Sequence, residues 1–346
     1  MVIRIAAIGV SHWHAINDAA YLHQLARMPD VLLVGLHDEH PEVAAQRSTA
    51  VGGVPCFSDY EDMLRITKPD FVVALGRHDT MARVAHHLID RGVPFLMEKP
   101  MGRHADEVRA IAEKAAETGA FAAVPMPFRY SPFMARARKM LAASVFGPLS
   151  HVYVRTNRFS SARYVAWDCP WMLDPALSGG GCLRNLGAHG LDLFLHLVGE
   201  DAAVTGAQIS ARAHRQQVED YASVLVRSAS GVLGTLEVGN AYPRVTRDPK
   251  VDGPTRDELL DGADGEIKIC GRDAMLMAKD GNLRIVTAAG EENTPGLPLR
   301  NPAYDLIADV LAHWRRGQPP PVSVDDCYRA VRLIDEAYRM TAATGL

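Results

Sequence analysis

The stretch VPFLMEKPMG (Val93–Gly102) sets a lysine between an acid and a proline. Its apolar run reads as a buried strand ending at Met97, and open α/β sheets bind ligands at the carboxyl ends of their strands. Pro100 disfavours helical backbone at Lys99, which keeps the ammonium at the strand tip. A second stretch, LSGGGCLRNLGAHGLDLFLHLVG (Leu177–Gly199), supplies three glycines and then a helix carrying Asn185, His189 and Asp192. Spacings of i, i+4 and i+7 place those three side chains on one helical face. An imidazole of unperturbed pKa ~6.5 can take or return a proton at neutral pH. An ammonium can donate to an oxygen that gains charge. His196, further along the same helix, reads as structural.

A third stretch, RIAAIGVSHWHAIND (Arg4–Asp18), is an apolar strand ending at Gly9 with a helix beginning near His14. A dinucleotide-binding turn needs glycine for the sharp bend and for close backbone approach to a pyrophosphate at a helix N-terminus. Here G-x-G-x-x-G is replaced by Gly9, Ser11 and His14. The expectation is an altered but working loop. Backbone donors near residues 10 to 13 hold the pyrophosphate, Ser11 and His14 add side-chain donors, and His12 or Trp13 lies along the pyrophosphate or ribose. In the competing reading these bulky side chains fill the cofactor's space. Asp38 ends LLVGLHD, 38 − 9 = 29 residues after Gly9. A carboxylate there accepts ribose hydroxyls and repels a 2′-phosphate, which favours NAD over NADP. Gly76 opens the turn after a fourth strand and joins the candidate cofactor contacts. His12-x-His14 has no third ligand in its neighbourhood, so no metal site is expected.

These residues need elements to hold them. VIRIAAIG, VLLVGL, FVVALG and VPFLME are β-branched apolar runs closed by turn residues, as in buried parallel strands. Helical patterns such as ARVAHHLIDRG separate them, which predicts a doubly wound Rossmann sheet. The prolines of PMPFRYSPF mark a boundary near Pro125. The predicted domains are therefore 1–125, a dinucleotide-binding Rossmann domain, and 126–346, an α+β domain for substrate and oligomerisation. Strands now come in neighbouring pairs, with a hairpin turn at Ser228–Gly231, so the second sheet is expected to be open and mostly antiparallel. Two amphipathic helices end the sequence, and Tyr242–Gly265, rich in Pro, Asp and Gly, reads as a long loop.

Composition narrows the partners. The 346 residues are 48% hydrophobic and 23% charged, with a net charge of -4. That balance gives no reason to expect nucleic acid or a membrane surface. No basic n-region precedes an apolar h-region at the N-terminus. Five scattered cysteines suit reduced thiols in a cytoplasm.

Taken together, Glu98-Lys99-Pro100, Gly179-Gly180-Gly181 leading to His189 and Asp192, FRYSP (Phe128–Pro132), FGPL and VEDYASVLVRSASGVLGTLEV (Val218–Val238) resemble the Gfo/Idh/MocA oxidoreductases, over nearly the whole chain. The resemblance implies that Lys99 and His189 are a catalytic pair and that Glu98 lies near a nicotinamide ribose. The activity it implies is hydride transfer between NAD and a secondary alcohol of a sugar, cyclitol or related polyol. His189 would be the base, Lys99 would donate to the alcohol oxygen, and Asn185 would orient the substrate, with Trp171 a further substrate contact. It also implies a homo-oligomer, a dimer or tetramer, through the second sheet. The chain departs from the family in its glycine-poor loop, in Asn185 where an Asp is usual, and in Gly76-Arg77-His78 where Thr-Pro-Asn is usual. Some relatives bind dinucleotide only to regulate, so a non-catalytic ligand or dinucleotide sensor is the alternative.

Overall fold

The computed structural model describes residues 2–158, 161–241, 264–279, 281–295 and 302–343. Strands β1 (Ile3–Ile8), β2 (Val31–His37), β3 (Cys56–Phe57), β4 (Phe71–Ala74), β5 (Phe95–Met97) and β6 (Ala122–Ala123) form a parallel sheet in the order β3-β2-β1-β4-β5-β6. In chain order the helices are α1 (Tyr21–Ala26), α2 (Pro41–Ala50), α3 (Tyr60–Thr67), α4 (His78–Asp90), α5 (Ala105–Thr118), α6 (Pro132–Ala142), α7 (Ser161–Ala166), α8 (Pro175–Ser178), α9 (Ala188–Val198), α10 (Ala303–Arg315) and α11 (Val324–Ala343).

Packing divides the chain into two compact units rather than by one cut after residue 125. The first comprises Met1–Tyr130, Trp167–Gly179 and Arg300–Val331; the second comprises Ser131–Ala166, Gly180–Leu299 and Arg332–Leu346. The cause lies in the first sheet, whose strands are apolar on both faces. Ala6, Ile8, Val72 and Met97 pack with Met81, Leu88, Val108 and Ile111 on one side. Ile5, Ala7, Phe71 and Val73 face Leu22 and Leu25 on the other, where Leu306, Ile307, Val310 and Leu311 of α10 complete the layer. Burying each such side chain is worth about 1.5–3 kcal/mol, which holds α10 in the first unit despite its distance in sequence.

The second unit contains one eight-stranded sheet. It is built from β7 (Leu149–Asn157), β8 (Ala202–Ser210), β9 (Tyr221–Ser228), β10 (Leu233–Gly239), β11 (Asp264–Gly271), β12 (Ala274–Lys279), β13 (Asn282–Thr287) and β14 (Gly290–Thr294). Their order is β14-β13-β12-β11-β7-β10-β9-β8. The β7–β10 pair is parallel and the other pairs are antiparallel, and β9 and β10 form the expected hairpin. Of the expected Tyr242–Gly265 loop, residues 242–263 lie outside the described residues, while Asp264 and Gly265 open β11.

Candidate functional site

In the first unit, the order of the sheet reverses between β1 and β4, and such switch points hold ligands in open sheets. Two glycines meet there. Gly9 has φ +71° and Gly76 φ +108°, and a Cβ on Gly9 would stand 2.8 Å from the Gly76 backbone. Asp38 is buried at the end of β2, where Oδ2 accepts from Ser11 N–H at 2.6 Å and Oδ1 from His40 N–H at 3.0 Å. Each oxygen keeps a further lone pair for a hydroxyl.

The turn after Gly9 departs from the expected helix start. Trp13–Ala15 is a single 3-10 turn, and α1 begins only at Tyr21 after a left-handed Ala20. Seven backbone N–H groups of the Gly9–Ile16 turn already have an acceptor within the unit. Gly9 and Val10 donate to His37 O, Ser11 to Asp38, and His12 to Gly9 O. His14 donates to His12 Nδ1, Ala15 to His12 O and Ile16 to Trp13 O. Of the expected backbone donors at residues 10 to 13, those of Val10, Ser11 and His12 are thus occupied, because His37 O, Asp38 and Gly9 O reach them first.

Nor is His14 turned outward as a phosphate donor. Its Nδ1 lies 3.1 Å from Glu98 Oε2 and its Nε2 3.7 Å from Asp18 Oδ2. Burial alone would lower the His14 pKa, but Glu98 and Asp18 outweigh it and raise it. Burial would conversely raise Glu98, yet His14, Lys99 and His12 bring it down to about 2. Tyr21 completes the cluster: burial and the Glu98 charge push its phenol well above the usual range, and it hydrogen-bonds Glu98. Lys99, next to Glu98 at the tip of β5, is 2% exposed.

His12 stacks on Trp13 at 3.9 Å between centroids. Trp171 lies in a 3-10 turn (Pro170–Leu173) that belongs to the first unit, with its ring 6.1 Å from His12, 6.0 Å from Trp13 and 5.1 Å from His78. The structure therefore groups Gly9, Ser11, His12, Trp13, His14, Asp38, Gly76, Glu98, Lys99 and Trp171 in one unit.

Asn185 and His189 belong to the second unit. They do not share one regular helix. Leu183–Gly187 is a π-turn that holds Asn185, and α9 starts after it with His189 in its first turn. Such turns recur at functional sites. Asn185 donates its amide to the buried Tyr164 hydroxyl. Glu219 anchors the start of the π-turn by accepting from Gly181 N–H at 2.8 Å, Leu183 N–H at 2.9 Å and Tyr338 OH at 2.7 Å. The glycines before it are there for close packing: a Cβ on Gly180 would collide with the Tyr338 hydroxyl, and one on Gly181 with the Glu219 backbone.

Sequence reasoning missed Asp18, Tyr21, His78, Tyr164, Glu219 and Tyr338. His78 carried a signal, since it opens α4 directly after the turn that follows β4. Tyr21 reads as ordinary helix core, and Glu219 and Tyr338 are 119 residues apart. Among the described residues no group of three or more His, Cys, Asp or Glu could hold a metal ion, and no helix is long and apolar enough to cross a membrane.

The paired glycines and the buried Asp38 fit a dinucleotide at the β1–β4 crevice, which defines the first unit as a dinucleotide-binding domain. Residues 3–125 match the model of the oxidoreductase family with an NAD-binding Rossmann fold, and residues 134–276 match the GFO/IDH/MocA C-terminal domain. The chain belongs to the Gfo/Idh/MocA oxidoreductase family, and its N-terminal part is that family's NAD-binding Rossmann domain. It is 24% identical over 220 residues to levoglucosan dehydrogenase of Pseudarthrobacter phenanthrenivorans, a match covering 61% of this chain and 54% of that protein. It is 22% identical over 264 residues to the scyllo-inositol 2-dehydrogenase (NADP(+)) IolW of Bacillus subtilis, covering 72% and 70%. The chain thus spans about half the length of the levoglucosan dehydrogenase that it matches. The fold superposes on GenD2 from gentamicin A biosynthesis, solved with NAD, with a TM-score of 0.81 at 22% identity, covering 99% and 95% of the chains.

Proposed function

We propose that this protein is an NAD-dependent dehydrogenase of a secondary alcohol on a sugar, cyclitol or related polyol. The observation that carries the reading is Lys99, a buried ammonium at the tip of β5 in an NAD-binding Rossmann domain. A buried lysine is costly unless its charge has a use or a partner, and Glu98 beside it is ionised. Levoglucosan and scyllo-inositol, after which two relatives are named, support the polyol class.

Gly9, Gly76 and Asp38 would hold the dinucleotide, and Asp38 supports NAD over NADP because a second anion at its carboxylate is repelled. When bound, the nicotinamide supplies the hydride acceptor. His189 takes the hydroxyl proton as the alcohol is oxidised, and Lys99 donates to the same oxygen. Asn185, its amide held by Tyr164, orients the substrate without adding charge. Trp171 offers an apolar face to a sugar ring.

A screen of NAD reduction over sugars, cyclitols and their acids tests the proposal, together with calorimetric titration of NAD and NADP. Turnover of one such alcohol with NAD preferred is the expected result. NAD binding without turnover across the panel would favour a dinucleotide sensor instead.

A further inference from the structure

With seven backbone donors of the Gly9–Ile16 turn occupied, the turn retains a side-chain donor. The backbone N–H of His14 can only donate, so His12 Nδ1, at 3.1 Å, is the acceptor of that bond. In a neutral ring the proton then sits on Nε2. The ring is neutral: burial, with the positive charge of His14 next, holds its pKa well below the usual 6.5 against the opposing pull of Glu98. His12 is 1% exposed, and among the described residues its Nε2 has no hydrogen-bond partner. A buried N–H left unpaired costs about 1–3 kcal/mol in a folded protein. Stacking on Trp13 and the bond from His14 fix the ring against turning away.

We propose that His12 is the phosphate-loop donor of this protein, its Nε2–H donating to a phosphate or ribose oxygen of NAD where other loops use a backbone amide. A glycine-rich loop leaves main-chain N–H groups open to an anion. Here His37, Asp38, Gly9 and His12 itself take up all but one of those between Gly9 and Ala15, and a buried imidazole whose tautomer the loop backbone sets supplies the donor. This accounts for an SHWH sequence where glycine is usual. The inference rests on the NAD-binding assignment.

The full-length protein is titrated with NAD alone by calorimetry. Wild type binds, His12→Phe keeps the stacking ring but loses the donor and should bind NAD about tenfold or more weakly, and His12→Gln, which retains an amide donor, should recover part of the loss. Histidine-labelled ¹⁵N spectra of the wild type give a second readout that needs no variant. They should show His12 protonated on Nε2 and not Nδ1, with the Nε2–H resonance shifting when NAD is added. His12→Phe binding NAD as tightly as wild type overturns the proposal, as does a proton on Nδ1 or an Nε2–H resonance unmoved by saturating NAD. A variant whose KM for the alcohol rises while its NAD affinity is unchanged also overturns it, by assigning the donor to the substrate. Failure of the wild type to bind NAD would instead remove the NAD assignment itself.

Discussion

At the tip of β5, Glu98 and His14 hold each other ionised in a place that disfavours either charge alone. Glu98, brought to about 2 from an ordinary 4.5, stabilises the fold above pH ~4.5 and loses that contribution as pH falls towards 2. His14 is shifted the other way. Its contribution is complete below pH ~6.5 and is lost as pH rises through its folded value. The pair should therefore stabilise most between about pH 4.5 and 6.5. In Glu98→Gln the leading opponent of burial at His14 is gone, so the His14 pKa should drop below the wild-type value in an NMR titration. An unchanged value would show that Asp18 alone charges His14. The residues proposed for chemistry are tested by turnover: Lys99→Met and His189→Ala should each lower kcat by about a hundredfold or more. NAD affinity measured by calorimetry should survive His189→Ala, because that residue lies in the second unit. Near-normal turnover in either variant would remove that residue from the mechanism.

Among elements, the π-turn at Leu183–Gly187 determines where Asn185 sits and where α9, with His189, begins. Glu219 fixes it through two main-chain N–H groups and the Tyr338 hydroxyl. Tyr338→Phe removes one hydrogen bond to Glu219 without leaving a buried charge bare. It should lower kcat several-fold with the NAD affinity unchanged, whereas a merely structural role would lower the melting temperature and leave kcat of the folded fraction intact. The expected one-face spacing of Asn185, His189 and Asp192 assumed an even 3.6-residue turn, and the π-turn that interrupts it is held by a carboxylate from a segment far along the chain. The early strands were legible because they are apolar on both faces, so each run announces itself. β14, with the sequence GEENT and every residue exposed, has no such pattern and went unseen. The Gly9 turn was legible as a turn, but its donor accounting was not, since His37 and Asp38 enter it from elsewhere.

Within the second unit, the eight-stranded sheet leaves one face to explain. The inner face is covered: Val152, Val154, Leu236, Val224 and Val226 are buried, and Gly190 of α9 lies so close that a Cβ there would stand 3.2 Å from Val154. The register places Lys268, Tyr153, Thr235 and Leu225 in one row across the opposite face, with Glu266, Arg155, Glu237 and Ser223 in another. Several of its polar groups bond within the face, with Tyr153 donating to Glu237 at 2.9 Å and Arg155 to Asp264 at 2.9 Å. Among them Leu225 remains 47% exposed, and Leu233 on the same face 45%. Two open leucines amid internally bonded polar groups suit contact with a second copy of the same face, and an isologous contact makes each gain twice. We therefore expect a dimer or tetramer formed through this face. Sedimentation velocity at micromolar concentration should show no monomer, and Leu225→Glu, which sets like charges against each other across the symmetry axis, should shift the boundary to monomer while the fold persists by circular dichroism. Wild type sedimenting as a monomer would rule the assembly out, and an oligomer unaffected by Leu225→Glu would assign the contact to another surface.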